Sequence, residues 1–162
     1  MATGRLVWDT LVGPGSADGG ALWGTAADGT RIYVAEGNSS NTPFTLRGSG
    51  AEAGETCKGG AWSALNPATG RILWQTCDPA DATDTAALTV ADGVVYAGSL
   101  ARTGTNMYVL NAATGRILWS FACGGSVAAG PAIVGGSVYW GSGYSKSGSG
   151  SASKRLYAFD PA

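Results

Sequence analysis

The 162 residues of this chain contain no histidine, which limits the chemistry that its side chains could perform. This excludes a Ser-His-Asp triad, a histidine-based zinc site and a histidine general base. Three cysteines are present, Cys57, Cys77 and Cys123, but no CxxC or CxxCH spacing occurs. Attachment of a c-type haem is therefore excluded as well. The remaining candidates are carboxylates, cationic side chains and tryptophans.

The composition limits the class of protein. The chain has 27 Gly, 6 Trp and only 13% charged residues, which favours an all-β protein with many tight turns. A net charge of −1 without a basic stripe argues against nucleic-acid binding. No apolar run approaches the ~20 residues of a membrane span. Residues 1–5 lack the apolar core of a signal peptide, and their Met-Ala start also fits a cloned piece of a longer protein.

A repeated phrase predicts how the chain is organised. The sequence of residues 64–74, Ala-Leu-Asn-Pro-Ala-Thr-Gly-Arg-Ile-Leu-Trp, recurs with few changes at 109–119. A third copy is split, because residues 158–162 carry its beginning and residues 3–8 carry its end. A second phrase, a Gly-containing turn before alternating apolar residues, accompanies each copy. Together the two phrases predict two hairpins, and hence four short strands, in each repeat.

The predicted strands are named A to D from the inside outward. They are expected at 21–27, 31–36, 61–66 and 71–76 in the first repeat, at 86–91, 94–99, 107–111 and 116–121 in the second, and at 129–134, 137–142 and 155–159 in the third. Residues 5–11, of the same or another copy, match the missing D strand. The insertion 37–60 and the Gly-Ser stretch 145–153 are predicted to be loops.

Four-stranded repeats of about 45 residues predict the blades of a β-propeller. The predicted fold is therefore an all-β partial β-propeller spanning residues 1–162, with three four-stranded antiparallel blades. The repeats cover about 12–76, 77–121 and 122–162, the last completed by 3–11. Trp8, Trp74 and Trp119 occupy equivalent D-strand positions and are expected to be structural.

The repeated phrase resembles the tryptophan-docking motif of quinoprotein propellers, in which a D-strand Trp packs on the neighbouring blade. The phrases at 19–24, 59–67 and 124–133 are similar to those of polyvinyl alcohol dehydrogenases. The resemblance implies the C-terminal part of a PQQ-dependent alcohol dehydrogenase whose parent protein is periplasmic or secreted. It also implies PQQ and Ca²⁺ as the family's cofactors. Such enzymes have seven or eight blades, so three blades would supply under half of the cofactor site.

The family resemblance suggests candidate ligands on the face formed by the B–C and D–A connections. Trp23 and Trp62 each follow a Gly-Gly pair and could stack on the quinone; the alternative is packing between blades. Arg47 and Lys58 could meet a PQQ carboxylate, or be solvated loop charges. Glu36 and Asn38 could ligate Ca²⁺, or be ordinary polar residues of the loop. Asp81 and Asp84 are candidates for the base, on position alone.

The cysteines all fall on this same side of the predicted blades. Cys57 and Cys77 belong to one repeat, so a disulfide between them is one expectation, and three free thiols is the other. The export of the family to the periplasm makes oxidation permissible.

Two kinds of partner and three functions are consistent with the sequence. The D-strand phrase at the N-terminus could complete the third blade of another copy, and two copies would give a six-bladed ring; the missing blades of the parent are the other candidate partner. The function is either that of a quinoprotein dehydrogenase piece with little activity alone, a non-catalytic propeller scaffold or binding module, or a truncated or engineered fragment that self-assembles.

Overall fold

The computed structural model describes residues 3–146 and 148–160, which form strands, turns and loops without a helix. These residues contain fifteen strands. In chain order they are β1 (Ala26–Ala27), β2 (Ile32–Glu36), β3 (Phe44–Thr45), β4 (Thr56–Cys57), β5 (Ala61–Leu65), β6 (Ile72–Cys77), β7 (Thr89–Ala91), β8 (Val94–Gly98), β9 (Met107–Asn111), β10 (Ile117–Phe121), β11 (Ala132–Val134), β12 (Ser137–Gly141), β13 (Ser145–Lys146), β14 (Ser149–Gly150) and β15 (Leu156–Phe159).

Three antiparallel sheets follow one another along the chain. The first has the order β1-β2-β5-β6, the second β7-β8-β9-β10, and the third β11-β12-β15. Within each sheet every strand pairs with the next member of its repeat, as the two predicted hairpins require. The predicted all-β class and the order of the strands are therefore confirmed.

The hairpin turn of the repeated phrase is built the same way in both complete sheets. The side-chain Oδ1 of Asn66 accepts hydrogen bonds from the backbone N–H groups of Ala68 and Thr69, at 2.9 and 3.1 Å. Asn111 makes the equivalent bonds in the second sheet. Gly70 and Gly115 then take φ values of +68° and +75°, which a residue with a Cβ adopts only at a cost.

The sheets pack face to face, and the largest apolar cluster lies between the first two. From the first sheet it takes Tyr33, Ala35, Trp62, Ala64 and Trp74, and from the second Leu88, Val95, Ala97, Tyr108, Leu110 and Ala112. A smaller cluster around Met107, Val127 and Trp140 joins the second sheet to the third. Burial of each large side chain contributes about 2–3 kcal/mol, so these junctions hold the sheets together.

The N-terminal segment lies against the first sheet. The indole Nε1 of Trp8 donates to the Pro67 carbonyl at 2.9 Å, and the Thr10 hydroxyl donates to the Gly70 carbonyl at 2.8 Å. Residues 5–11 form no strand and are not beside β15 in the same copy. Within one copy, the described residues therefore leave the third sheet with three strands.

Some sequence expectations on strand length and loops need correction. The inner strands are shorter than predicted, since β1 covers only 26–27 and β7 only 89–91. The insertion 37–60 contains the β3–β4 hairpin. The stretch 145–153 contains the β13–β14 pair, and the backbone N–H of Ser151 donates to Ser126 Oγ at 2.8 Å. Both segments thus contain backbone pairing that composition does not reveal.

Candidate functional site

An open cavity of about 490 Å³ lies on the face formed by the B–C and D–A connections. It draws on loops of all three sheets, and its polar and charged lining includes Asp18, Asn41, Asp81, Arg102 and Ser149. Asn41 and Asp81 have φ values of +50° and +52°, and Asn41 Nδ2 donates to the Asp81 carbonyl at 3.0 Å. The loops of this face are therefore held in a defined conformation by local polar contacts.

Three carboxyl groups are buried on the same side of the first sheet. Glu36 ends β2, Asp78 follows β6, and Asp84 lies on the connection that leads into the second sheet. The backbones of Glu36 and Asp84 both approach Gly60 closely, because a Cβ at this position would lie 2.6 Å from the Glu36 carbonyl oxygen and 2.5 Å from the Asp84 nitrogen. The Gly59–Gly60 pair is thus required for the close approach of these loops.

These carboxyl groups have oxygens without a hydrogen-bond partner among the described residues. Glu36 Oε1 accepts from the Gly15 N–H at 2.8 Å, and Asp78 Oδ1 accepts from the Ala80 N–H at 2.6 Å. Glu36 Oε2, Asp78 Oδ2 and both oxygens of Asp84 are buried and unpaired. Buried polar atoms without partners are costly, so this cluster is the most unusual polar feature of the described chain.

Burial makes two members of the cluster, Asp84 and Glu36, resist ionisation. The pKa of Asp84 is raised well above its ordinary value, first by burial and then by the negative charges of Asp78 and Glu36. Burial also raises the pKa of Glu36, an effect partly offset by the hydrogen bond from Gly15. The pKa of Tyr108 is raised by burial and by the charges of Asp78 and Asp84. The environment therefore favours the protonated forms of Asp84 and Glu36.

The two tryptophans predicted to contact a cofactor lie in different environments. Trp62 is fully buried, with its ring centroid 5.0 Å from that of Tyr108. This contact favours the packing alternative over a stacking surface for a quinone. Trp23 is exposed and meets the edge of Tyr144, with centroids 5.3 Å apart. Neither ring lines the 490 Å³ cavity.

The two predicted cationic ligands do not come together on this face. Arg47 lies along the outside of the first sheet, where its guanidinium donates to the Leu11 carbonyl, and it lines a separate open cavity of about 680 Å³ with Asp9 and Arg71. Lys58 is exposed. Neither side chain lines the cavity over the three sheets.

The side-chain amide of Asn38 is fully used in hydrogen bonds within its own loop. Its Nδ2 donates to the carbonyls of Thr42, Lys58 and Gly59, and its Oδ1 accepts from the Thr42 N–H at 3.0 Å. Of the predicted metal ligands, only Glu36 has an unpaired oxygen. Among residues 3–146 and 148–160, no group of three or more His, Cys, Asp or Glu side chains is arranged to hold a metal ion.

The two candidates for a base, Asp81 and Asp84, differ in their exposure. Asp81 is exposed and lines the cavity, whereas Asp84 is buried and does not line it. Sequence reasoning missed Asp78, which completes the carboxyl cluster. Its position directly after the Cys77 that ends β6 was the available signal, because the outer-strand ends and the following connections share this face.

The disulfide expectation is confirmed for one pair. Cys57 and Cys77 are joined, with Cα atoms 5.6 Å apart, so the bridge ties the long insertion to the end of β6. Cys123 is free and buried. Burial raises the pKa of its thiol, which disfavours the reactive thiolate.

Comparison with known proteins decides the family. The family model PQQ_2, described as outer membrane protein assembly factor BamB, matches residues 58–162, which is more than half of the chain. The chain belongs to the PQQ_2 family. A comparison with curated protein sequences finds no match.

Solved structures show the same fold for this PQQ_2 chain. One of the 31 matching chains is a europium-containing methanol dehydrogenase, with a TM-score of 0.63 and 19% sequence identity. The match covers 96% of this chain and 25% of that one, so the chain spans about a quarter of the length of that enzyme. The resemblance to quinoprotein propellers drawn from the sequence is thus confirmed at the level of family and fold. The described residues include no helix long and apolar enough to cross a membrane.

The residues present do not form a complete site for PQQ and a metal. A flat tricarboxylate needs an aromatic face together with converging cations or amide donors. Here Trp62 is buried, the Asn38 amide is used by its loop, and Arg47 lies on the outside of the sheet. What the PQQ_2 chain does supply is a cluster of buried carboxyl groups with unpaired oxygens.

Proposed function

We propose that the chain is part of a quinoprotein-type β-propeller related to PQQ-dependent alcohol dehydrogenases, with little or no catalysis by this polypeptide alone. The observation that carries the proposal is the dispersal of the candidate ligands. The cationic residue Arg47 is outside the first sheet, the aromatic Trp62 is inside a packed junction, and neither reaches the cavity over the three sheets.

In this proposal each sheet is one blade and the tryptophans are docking residues. Trp8 and Trp74 support this assignment, because each indole donates to the carbonyl that follows the turn asparagine of the next sheet, Pro67 for Trp8 and Ala112 for Trp74. For Trp119, the residue equivalent to these carbonyl acceptors is residue 161, which lies outside the described residues. The repeats then divide the domain of residues 1–162 at about 12–76, 77–121 and 122–162 with 3–11.

A periplasmic or secreted location of the parent protein is part of the same proposal. The Cys57–Cys77 disulfide supports it, because such bonds persist in oxidising compartments. The phrases that resemble polyvinyl alcohol dehydrogenases support an alcohol, polyvinyl alcohol among them, as the substrate class of the complete enzyme.

A cofactor titration tests the proposal. Adding PQQ with excess Ca²⁺ or a lanthanide to the purified chain should give no stoichiometric quinone absorbance in the protein fraction after gel filtration. It should also give no alcohol-dependent dye reduction. Binding of one PQQ per chain, lost in Asp84→Asn but kept in Asp81→Asn, would contradict the proposal and identify the carboxyl cluster as part of a working site.

A non-catalytic scaffold is the second candidate, and the buried Trp62 is the observation that favours it. The description of the family model as an assembly factor is compatible with this function. A scaffold would keep the docking tryptophans and lose the cofactor ligands. Failure to bind PQQ even after the missing blades are supplied in trans would favour the scaffold over the incomplete enzyme.

A further inference from the structure

We propose that the Cys57–Cys77 disulfide is a redox-sensitive latch, which fixes the loops that form one wall of the cavity over the three sheets. With the disulfide formed, the insertion 37–60 and the connection 78–83 are held against each other. With the disulfide reduced, both segments open locally while the sheets stay folded. The inference rests on the fold and does not depend on catalysis.

The two cysteines join segments that already run side by side. The backbone N–H of Asp78 donates to the Gly60 carbonyl at 3.0 Å, and the Gly60 N–H donates to the Ala82 carbonyl at 2.7 Å. Residues 57–60 and 77–82 are therefore paired through their backbones, with the disulfide at one end of the pair. A change at the disulfide acts directly on this pairing.

The paired segments carry one wall of the cavity. The connection supplies residues 80–83 of the lining, and the insertion supplies Ser39 and Asn41. Asn41 bridges the two segments, because its Nδ2 donates to the Lys58 carbonyl at 3.2 Å and to the Asp81 carbonyl at 3.0 Å. The disulfide therefore restrains the backbone to which this part of the lining belongs.

The apolar contacts of the insertion centre on the disulfide itself. Leu46, Cys57 and Ala61 form a small buried cluster, and Phe44 and Cys77 pack against it. This cluster is separate from the large one between the first two sheets. Segments with few buried apolar contacts open at a lower free energy than the core does, so the insertion can detach without loss of the main core.

The same insertion also covers the outer edge of β6. The Ser49 N–H donates to the Leu73 carbonyl at 2.8 Å, and the Cys77 N–H donates to Glu52 Oε2 at 2.8 Å. Single hydrogen bonds contribute only about 1 kcal/mol each, so they do not replace the covalent bond. Opening of the latch would uncover a strand edge, which is a template for pairing with another strand.

Reduction can begin at Cys77, because this residue is partly exposed whereas Cys57 is fully buried. One thiolate of a dithiol attacks Cys77 Sγ, the S–S bond breaks, and the Cys57 sulfur leaves and takes up a proton. The second thiol of the reductant then displaces Cys77 as a thiol, and the reductant becomes a disulfide. The Cys57 thiol would have acceptors, since its Sγ lies 3.5 Å from the carbonyl oxygens of Gly59 and Gly60.

Hydrogen exchange of one chain in its oxidised and reduced forms tests the proposal. The chain carries Cys123→Ser, which leaves Cys57 and Cys77 as its only cysteines. Reduction with dithiothreitol should make the amides of 38–60 and 78–83 exchange about tenfold faster or more, because the bridge no longer restrains the open loops. Strands β8 and β9 should stay protected over the same minutes. Equal exchange in both forms, or faster exchange only together with β8 and β9, would overturn the proposal.

A variant with Cys57→Ser and Cys77→Ser on the same background is the matched control. Its exchange without reductant should equal that of the reduced chain, and dithiothreitol should change nothing further. Reoxidation of the reduced chain with glutathione disulfide should restore slow exchange in both segments. A chain whose mass shows the bridge re-formed but whose segments still exchange fast is not a latch. If the double variant does not fold, the oxidised and reduced forms of the single chain still decide.

Discussion

The junction between the first and second sheets differs from the junction between the second and third in how its tryptophan is held. Trp74 is 1% exposed, and its indole donates to the Ala112 carbonyl at 3.0 Å. Trp119, at the same repeat position, is 39% exposed and packs on Phe121 and Phe159. One sequence phrase thus produces a buried, hydrogen-bonded tryptophan at the first junction and a partly exposed tryptophan within an aromatic group at the second.

The largest expected effect is the loss of the buried tryptophan Trp74. Trp74→Ala should lower the free energy of unfolding by about 3–5 kcal/mol, because it empties a large buried site and removes the indole hydrogen bond to the Ala112 carbonyl. Trp119→Ala should cost no more than about 2 kcal/mol, since its ring is partly in water. Urea unfolding at a concentration where the chain is monomeric measures both. Equal losses would mean that the two junctions are packed alike.

The next effect concerns the long insertion, which only the first sheet carries. Replacing both Cys57 and Cys77 by Ala should destabilise the protein by about 3 kcal/mol, because the disulfide restrains a loop of 20 residues in the unfolded chain. A reducing agent should lower the free energy of unfolding of the parent protein by a similar amount, and its unfolding midpoint should fall accordingly. The double variant serves as the control, since reduction should leave its midpoint unchanged. A shift there would place the effect at Cys123.

The smallest expected effect is the pH dependence of stability that the buried Asp84 produces. The folded state holds the proton of Asp84 more tightly than the unfolded state does. At pH values between the ordinary pKa of 3.8 and the raised pKa of the folded state, unfolding therefore releases this proton. Stability should therefore fall as the pH rises through that window and level off above the folded-state pKa. Asp84→Asn should flatten this slope and stabilise the protein at neutral pH, where the parent must bury either a charge or a costly proton.

The matched control for this measurement is Asp81→Asn. Asp81 is exposed and has a positive φ, which asparagine tolerates well. Unfolding curves at several pH values between 4 and 8 should show the parent slope in this variant. If Asp84→Asn keeps the parent slope as well, the remaining candidates are Glu36 and Glu52, whose pKa values are also raised by burial.

The repeat in the sequence was sufficient to predict the sheets and their strand order. Two phrases recur with fixed turn chemistry, so each hairpin could be located from Asn66 and Gly70 or from Asn111 and Gly115. The inner strands were overestimated, because apolar residues continue before residue 26 while backbone pairing does not. Alternation of side chains predicts an extended conformation but cannot show where the neighbouring strand ends.

The candidate site was predicted less well, for a physical reason. Glu36 and Asp84 were named from their positions near strand ends, and both belong to the buried cluster. Arg47 and Asn38 lie in the 24-residue insertion, whose path depends on the β3–β4 hairpin and on contacts with Gln75 and Leu11. Such long-range contacts leave no periodic pattern in the sequence, so the convergence of loop side chains could not be derived from it.

The shared contact of Trp8 and Trp74 also bears on how such proteins grow by gene duplication. Because each indole recognises a backbone carbonyl and a glycine rather than a particular side chain, any unit that carries the same turn is an acceptable neighbour. A tandem copy joined in phase would inherit its contacts ready-made, and selection could then act on the loops alone. The number of such sheets in a chain can therefore change without the invention of a new interface.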